Sequence, residues 1–273
     1  MIKDNKTVSI VIPTKNSANF LEACLQSIKN QTYKNIEIIV VDNNSTDNTK
    51  EIAKKYTNKI YNKGPERSSQ KNFGAKNAKG KYLLFMDSDM ELSKKVVKDC
   101  MEKVKSYCGG IIIPEKSVGE GFWAKCKALE RSFYVGINWI EAARFFPKNV
   151  FNKLKGYDEN LVSAEDWDLN QSIKNKYETL RIGSFIYHNE GKLKLTDLLE
   201  KKLYYGKMIN NYEQKKVNDK YSSSQLNIIK RYELFFSHPV KLFKNPIIGF
   251  GMLFMKTAEF IIGGIGYLLR KIK

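Results

Sequence analysis

Residues 1–115 alternate short apolar runs with stretches of helical periodicity, and this alternation limits the possible folds more than any other feature. The runs VSIVIP, IEIIVVD and KYLLFMD are rich in Val, Ile and Leu, as is typical of strands that are buried on both faces. The segment between the first two runs places apolar side chains at helical spacing, at Phe20, Leu21, Cys24, Leu25 and Ile28. Strands that alternate with helices predict right-handed crossovers and a mostly parallel sheet flanked by helices, which is an α/β fold.

Polar clusters follow three of these predicted strands. PTKN (residues 13–16) follows the first strand, DNNSTD (residues 42–47) the second, and DSD (residues 87–89) a later one. The carboxyl ends of parallel strands lie at one edge of a sheet, and ligands of open α/β sheets bind beyond that edge. The sequence therefore predicts that the three clusters form one ligand site.

The DSD cluster brings carboxylates together in a chain whose formal net charge is +18. Like charges at this spacing repel, and each carboxylate resists removal from water. A divalent cation would neutralise Asp87 and Asp89 and could take a diphosphate as a further ligand. Since no His or Cys lies beside the pair, Mg²⁺ or Mn²⁺ suits the site better than zinc.

The basic excess, 47 Lys and Arg against 29 Asp and Glu, has two interpretations. It indicates either a solvated lysine surface or attraction to anions such as nucleotides and lipid phosphates. No nucleic-acid-binding motif is present, so no nucleic-acid partner is predicted. Four cysteines without metal-type spacing predict reduced, buried thiols. A polar N-terminus that leads directly into a strand predicts that there is no signal peptide and that the chemistry stays on the cytosolic side.

The C-terminal segment is apolar from Ile247 to Leu269, apart from Lys256, Thr257 and Glu259. It is long enough to span a bilayer, but two central ionisable groups make simple spanning costly. Lys256 and Glu259 could pair across three positions of a helix. Three arrangements remain open, namely a spanning helix, a re-entrant or interfacial hairpin, and a hydrophobic helix packed on the domain.

Two further segments complete the pattern. GYDENLVSAEDWDL predicts an acidic loop that leads into a helix near Ala164, and TLRIGSFIYHNEG (residues 179–191) predicts one strand that ends in His188. Together with VSIVIPTKN, IEIIVVDNNSTDNT and GAKNAKGKYLLFMDSDM, these motifs resemble the family-two glycosyltransferases with the GT-A fold, in the right order from residue 7 to about residue 191. The resemblance implies a GT-A, Rossmann-like sheet. It also implies transfer of a sugar, with inversion and the help of Mg²⁺ or Mn²⁺, from a UDP- or GDP-sugar.

The resemblance also implies roles for individual residues. The donor would be bound by Pro13, Thr14, Asn16, Asp42, Asn44, Arg67, Lys71, Asp87 and Ser88. The metal would be held by Asp87, Asp89 and His188. Asp166 matches the family's catalytic base, with Glu165 beside it, and Arg144 and Trp167 would lie near the acceptor. The alternatives are a structural role for His188, a helix-capping role for Glu165 and a solvated position for Arg67 and Lys71.

Two departures from the family pattern matter. Met90 separates the metal motif from Glu91, which argues against a metal site made of three carboxylates. The QxxRW motif of processive synthases is absent, so we expect one sugar to be transferred per encounter. A sugar-phosphate nucleotidyltransferase is excluded, because PTKNSAN is not the glycine-rich loop that such an enzyme carries after its first strand.

The predicted acceptor is lipid-linked, either a polyprenyl or dolichyl phosphate or a lipid-linked glycan. The alternatives are a soluble acceptor in exopolysaccharide or lipopolysaccharide synthesis, and a silent sugar-nucleotide-binding membrane scaffold, against which the presence of Asp89 and Asp166 argues. The predicted organisation is a nucleotide-sugar-binding half (1–115), an acceptor-binding half of the same domain (116–220) and a helical tail (221–273). The tail would hold the protein at the cytoplasmic side of the cell membrane.

Overall fold

The computed structural model describes residues 6–209, 212, 215 and 224–271. The chain forms two compact units. The first comprises Met1–Pro114, Ala142–Glu159 and Glu165–His188, and the second comprises Glu115–Glu141, Asn160–Ala164 and Asn189–Lys273. The predicted start of the tail at residue 221 lies outside the described residues, and the division into donor half, acceptor half and tail stays a prediction.

Strands and helices alternate from residue 8 to residue 85, and a run of helices follows residue 194. The strands are β1 (Val8–Thr14), β2 (Ile36–Asp42), β3 (Ile60–Asn62), β4 (Tyr82–Phe85), β5 (Met90–Leu92), β6 (Cys108–Ile112), β7 (Glu115–Glu120), β8 (Phe145–Pro147), β9 (Glu178–Arg181) and β10 (Ile186–Lys192). The helices are α1 (Ala18–Lys29), α2 (Thr49–Lys54), α3 (Arg67–Asn77), α4 (Val96–Lys103), α5 (Gly121–Ser132), α6 (Lys148–Lys153), α7 (Glu165–Lys174), α8 (Leu195–Met208), α9 (Ile228–Phe236), α10 (Pro239–Leu242) and α11 (Pro246–Lys271).

The first unit is built on a seven-stranded sheet in the order β3-β2-β1-β4-β8-β6-β9. Neighbouring strands are parallel except for β8, which runs antiparallel to β4 and β6. Val8 of β1 lies in register with Ile36 of β2 and Tyr82 of β4, so the carboxyl ends of these strands lie at one edge. The predicted α/β sheet flanked by helices is confirmed.

Side chains of β1 alternate between two hydrophobic layers. Ile10 and Ile12 belong to the layer that contains Leu21 and Cys24 of α1, while Val11 belongs to the layer that contains Ala75 of α3. A strand that is buried on both faces needs apolar residues at nearly every position. This explains why VSIVIP does not alternate and is apolar apart from the buried Ser9, whose hydroxyl accepts a hydrogen bond of 2.9 Å from the Gly80 backbone.

The segment 179–191 forms two strands, so the prediction of one strand was wrong. Residues 182–185 separate β9, which pairs with β6 in the large sheet, from β10, which pairs with β5. Gly183 lies in this break and offers no side chain to pack within a strand. The first half of β10 belongs to the first unit, and its second half lies beside β7 in the second.

The second unit packs α11 closely against α8. A Cβ atom added to Gly206 would lie 2.2 Å from the carbonyl oxygen of Gly263, and one added to Gly266 would lie 2.4 Å from that of Leu203. Glycines at such contacts let two helix backbones approach. Gly266 of α11 and Gly206 of α8 therefore serve packing of α11 on a helix of the same chain.

A buried ion cluster joins α11 to α5 and α8. The Lys256 Nζ atom lies 2.8 Å from Glu259 Oε2 and 2.7 Å from Glu130 Oε1. The Lys127 Nζ atom lies 2.6 Å from Glu130 Oε2 and 3.0 Å from Glu259 Oε1, and Lys202 lies 3.6 Å from Glu259. Burial alone would raise the pKa of Glu259, but the three lysines outweigh it and lower the pKa to about 2. The predicted Lys256–Glu259 pair is present, and both charges face the protein.

The helix α11 is the one helix within the described ranges that is long and apolar enough to cross a membrane, with a mean hydropathy of 1.4 over its most apolar 18 residues. Only 28% of its most apolar window is buried in the protein. Length and composition alone do not separate a spanning helix from one that lies on a surface.

Replacing Glu259 with Ala should lower the free energy of unfolding by about 3–5 kcal/mol, because it leaves buried lysines without their carboxylate. Urea unfolding monitored by circular dichroism measures the change. The matched control is Glu51→Ala, which removes the acid of an exposed Glu51–Lys54 pair at the same i,i+3 spacing and should cause no resolvable change. Equal midpoints for the two variants would contradict the role of the cluster.

Candidate active site

The carboxyl ends of β1 and β2 meet at the buried carboxylate of Asp42. Its Oδ1 atom accepts hydrogen bonds from the Thr14 hydroxyl at 2.9 Å and the Ser45 hydroxyl at 2.5 Å, and Oδ2 accepts from the Ser45 backbone at 2.8 Å. The Lys50 ammonium lies 3.4 Å from Oδ2. These contacts fix the loop after β2, while donor binding by Asp42 stays a prediction.

The two loops at this edge are held by asparagines in the left-handed region. Asn16 and Asn44 have φ values of 49° and 51°, which Asn adopts more readily than most residues. The Asn16 side-chain Oδ1 atom accepts a hydrogen bond from the Thr46 backbone N–H at 2.9 Å, and Asn44 Oδ1 accepts from the Asn62 side chain at 2.6 Å. Pro13 is buried in β1. The strand ends therefore form a rigid polar rim.

Lys71 on α3 connects the DSD motif to the start of α7. Its side chain is 3% exposed, and its Nζ atom lies 3.6 Å from Asp87 and 3.4 Å from Glu165. The same ammonium lies 5.2 Å from the centre of the Tyr157 ring, within the range of a cation–π contact. Lys71 was predicted to contact the donor; the structure places it between two acids, and donor contact stays a prediction.

Asp87 is surrounded by positive charge. Arg144 lies 3.7 Å from its Oδ2 atom, in addition to Lys71 at Oδ1. Burial would raise the pKa of Asp87, but Lys71, Arg144 and Arg67 together lower it well below the usual range. Asp87 is therefore an anion whose charge is already balanced by the protein.

The pKa of Asp166, in the first turn of α7, is shifted in the opposite direction to that of Asp87. Burial and the neighbouring Glu165 raise its pKa, against the opposing effects of Arg144 and Lys71. The Trp167 backbone donates a hydrogen bond of 2.8 Å to Asp166 Oδ1. A carboxylate with a raised pKa accepts a proton more readily than an ordinary surface Asp.

Asp89 is paired with His188 across two strands. In the antiparallel register His188 of β10 lies opposite Met90 of β5, which brings its Nε2 atom to 3.1 Å from Asp89 Oδ2. Ser88 is turned elsewhere, and its hydroxyl lies 2.9 Å from that of Ser17. A histidine 99 positions along the chain thus reaches the DSD motif.

The side chains of Asp89 and His188 fit a divalent cation whose remaining coordination positions are filled by the diphosphate and water. Asp89 Oδ1 is buried and has no hydrogen-bond partner among the described residues. One carboxylate and one imidazole suit Mn²⁺ or Mg²⁺ when oxygen atoms of phosphates and water complete the coordination shell. Within the described part of the chain, no three His, Cys, Asp or Glu side chains form a cation site. The protein would supply two ligands.

The structure brings most of the predicted residues together on the first unit. Lys71, Asp87, Arg144, Glu165 and Asp166 form one cluster, and Asp89 with His188 forms a second contact on the same motif. The sequence did not reveal the ring of Tyr157 beneath Lys71, although GYDEN was a motif segment.

A second unpredicted residue holds the rim in place. The Gln70 amide on α3 donates to the carbonyls of Thr14 and Val41, at 3.0 and 2.6 Å. It therefore ties the ends of β1 and β2 to the helix that carries Lys71. A single buried amide among polar residues gives no periodic signal, so only the fold reveals it.

Residues 9–157 match the family model described as glycosyl transferase family 2. An uncharacterized glycosyltransferase of Rickettsia typhi is 32% identical over 206 residues, which are 68% of this chain and 63% of that protein. The chain thus spans less than two thirds of the length of that relative. A Campylobacter jejuni protein, named as a β-1,3-glucosyltransferase acting on GalNAc(5)-diNAcBac-PP-undecaprenol, is 36% identical over 106 residues, 35% of this chain and 34% of that protein.

The fold is similar to that of the mannosyltransferase PcManGT from Pyrobaculum calidifontis, solved with GDP-Man and Mn²⁺. The TM-score is 0.65 at 14% identity, with 96% of this chain and 86% of that one covered. This likeness shows the GT-A fold. Because the family model covers more than half of the sequence and the strand ends carry the expected polar clusters, the chain belongs to glycosyl transferase family 2.

Proposed function

We propose that the protein transfers one sugar from a UDP- or GDP-sugar to a hydroxyl of a lipid-linked saccharide, with inversion at the anomeric carbon and with a divalent cation. The observation that carries the proposal is that the pKa values of Asp87 and Asp166 are shifted in opposite directions, although the same two basic side chains lie near both. Lys71 and Arg144 act on both Asp87 and Asp166, yet the pKa of Asp87 is lowered and that of Asp166 is raised. Such a divergence assigns different chemical roles to two acids.

In this proposal Asp166 is the catalytic base. Its carboxylate takes the proton from the acceptor hydroxyl while that oxygen attacks the anomeric carbon. The bond from this carbon to the diphosphate oxygen breaks, and the electron pair leaves with the nucleoside diphosphate. Glu165 is held by Lys71 at 3.4 Å and fixes the start of α7, so that the Asp166 carboxylate is positioned by a buried ion pair.

In this proposal the leaving diphosphate is stabilised by positive charge. Asp89 and His188 would hold Mg²⁺ or Mn²⁺, and such a cation stabilises negative charge on a departing diphosphate. Asp87 balances Lys71 and Arg144 before the donor enters. The donor phosphates meet a set of preformed charges, which lowers the cost of reorganisation during the reaction.

Two observations support a lipid-linked saccharide as the acceptor. The Campylobacter jejuni relative is named for an undecaprenol-linked acceptor, and α11 carries exposed apolar side chains. A phosphate acceptor is already an anion at neutral pH, whereas a sugar hydroxyl needs a base. The raised pKa of Asp166 therefore favours a saccharide over a bare polyprenyl phosphate as the acceptor. In this proposal the acceptor lies at the cytoplasmic side of the membrane.

The donor half of the proposal can be tested without an acceptor. We expect one member of a panel of UDP- and GDP-sugars to release its nucleoside diphosphate slowly in the presence of Mn²⁺, as measured by a coupled phosphatase assay. EDTA should abolish the release. Failure to bind or hydrolyse any nucleotide sugar, with the protein folded, would contradict the proposal.

A further inference from the structure

The helix α11 leaves one apolar side uncovered by the second unit. This surface, called the apolar face of α11, consists of side chains that are 43–73% exposed, namely Ile247, Phe250, Phe254, Ile261, Ile265 and Leu268. Their spacings of three, four and seven residues place them on one side of a helix. The face runs almost the whole length of the 26-residue helix.

The other side of α11 is committed to the protein. Met252, Met255, Lys256 and Glu259 are all buried, and the two charged groups pair with lysines and a glutamate of α5 and α8. A spanning helix would have to carry this whole buried ion cluster to the depth of the bilayer centre, where charge is most costly. Only the apolar face is therefore available to lipid.

The exposed charges of the chain segment that carries the apolar face are of one sign. Glu259 is the only acidic residue in residues 234–273, and it is 2% exposed. Lys241, Lys244 and Arg270 are exposed at either end of α11. Over residues 234–270 the exposed charged side chains are thus cationic, and cations beside an apolar face favour the interface of an anionic bilayer.

Aromatic side chains lie beside the face. The Trp123 ring is 6.2 Å from that of Phe254 and 4.9 Å from that of Phe122. Trp is enriched at the level of lipid headgroups, where one end of the ring is apolar and the other polar. A second copy of this chain could cover the apolar side chains, but it would bring further cations against these cations.

We propose that α11 lies flat on an anionic bilayer, with its apolar face at the boundary of headgroups and acyl chains, and that it does not span. The inference goes beyond the proposed function, because it states how the second unit meets the membrane whatever sugar is transferred. Its test needs no sugar donor, so its failure and the failure of the proposed function are distinguishable.

Depth measurements separate a flat helix from a spanning one. Single cysteines at Ile247, Phe254, Ile261 and Leu268 would be labelled with a fluorophore, which the four native cysteines permit because all of them are buried. The wild-type protein is the labelling blank. Quenching by lipids spin-labelled at different depths would be measured in vesicles of phosphatidylcholine with about one third phosphatidylglycerol.

A flat helix predicts that all four probes report one shallow depth, within roughly 5–10 Å of the headgroup boundary. A spanning helix predicts depths that differ along α11, shallow at Ile247 and Leu268 and deep at Phe254 and Ile261, since the two ends would be about 32 Å apart along the axis at 1.5 Å per residue. Depths that differ in this way would overturn the proposal. Absence of quenching at every probe would overturn it as well and would assign the face to a protein partner.

The electrostatic part of the proposal has a matched control. The triple variant Lys241→Glu, Lys244→Glu, Arg270→Glu should weaken vesicle binding by at least about tenfold in a flotation assay. The control Lys29→Glu, Lys34→Glu, Lys95→Glu changes the net charge equally at exposed positions of the first unit and should bind within about twofold of wild type. Equal loss in both triples would show only a general charge effect and would overturn the proposal.

Discussion

Replacing Asp166 with Asn should lower kcat for sugar transfer by about 10²–10⁴-fold, the range that a general base contributes. The amide has the shape of the carboxylate but cannot take the acceptor proton. Donor affinity should stay within about threefold of wild type, because the residues proposed to bind the donor at the ends of β1, β2 and β4 are unchanged. Single-turnover transfer together with isothermal titration of the donor separates the two effects.

The pH profile gives this substitution a second readout. In the wild type, kcat should fall as the pH drops through the pKa of Asp166, since only the ionised form is a base. Burial and Glu165 raise that pKa above its ordinary value of 3.8, so this loss should occur at a higher pH than for an exposed Asp. The acid limb should be absent in Asp166→Asn.

Asp168→Asn is the matched control, because both acids lie in the first turn of α7 and both interact with the helix dipole. We expect Asp168→Asn to keep transfer within a few-fold of wild type, with a thermal melt to normalise for folded protein. A turnover of Asp166→Asn close to that of wild type, or an unchanged acid limb, would contradict the assignment of the base.

Replacing Asp89 with Ala should remove metal-dependent activity. A cation at a leaving diphosphate supplies several kcal/mol of transition-state stabilisation, so we expect at least about a hundredfold loss in kcat/KM. The structural reason is specific to Asp89, because its partner is His188, whereas Asp87 is already neutralised by Lys71 and Arg144. Raising the Mn²⁺ or Mg²⁺ concentration should not bring the rate of Asp89→Ala back to that of wild type.

Manganese binding tests this second prediction without turnover. Electron paramagnetic resonance of Mn²⁺ with nucleoside diphosphate present should show weaker binding in Asp89→Ala and in His188→Ala. Glu91→Gln is the control, since Met90 and Leu92 on either side of Glu91 point into the core and Glu91 belongs to no described cluster of three metal ligands. Loss of Mn²⁺ binding in Glu91→Gln alone would contradict the assignment.

The fold of the first unit follows from local sequence signals. Apolar runs that do not alternate, such as VSIVIP, need burial on both faces, and the sheet provides it with separate layers for Ile10 and Val11. The sequence analysis missed the break at residues 182–185, because the mixture of apolar and polar residues over 179–191 is also typical of one long strand. Only their partners β6 and β5 distinguish them.

The candidate site was partly predictable for the same reason. Asp87 and Asp89 end a strong strand signal, so their place at the sheet edge follows from the chain itself. The contact between Asp89 and His188 depends on an antiparallel register 99 positions away, and the position of Lys71 between Asp87 and Glu165 depends on packing of α3 against the sheet. Neither arrangement leaves a periodic mark in the sequence.

The tail shows how tertiary contacts alter a composition-based prediction. Lys256 and Glu259 make α11 a poor spanning segment by itself, but the sequence gives no sign that Glu130, Lys127 and Lys202 complete their ion pairs. Among the tail glycines, Gly266 lies against α8 and Gly251 lies against Phe122 and Cys126 of α5, so both serve packing within the chain. What remains exposed is a single apolar face.

The most direct test of the account is the chemical form of the product. The protein would be incubated with the nucleotide sugar that it hydrolyses, Mn²⁺ and a total membrane lipid extract, and the butanol phase would be examined by mass spectrometry. We predict a polyprenyl-linked saccharide that gains the mass of one sugar residue with the wild type and not with Asp166→Asn. Transfer that is recovered only in water-soluble products, with no sugar added to any lipid, would contradict the account.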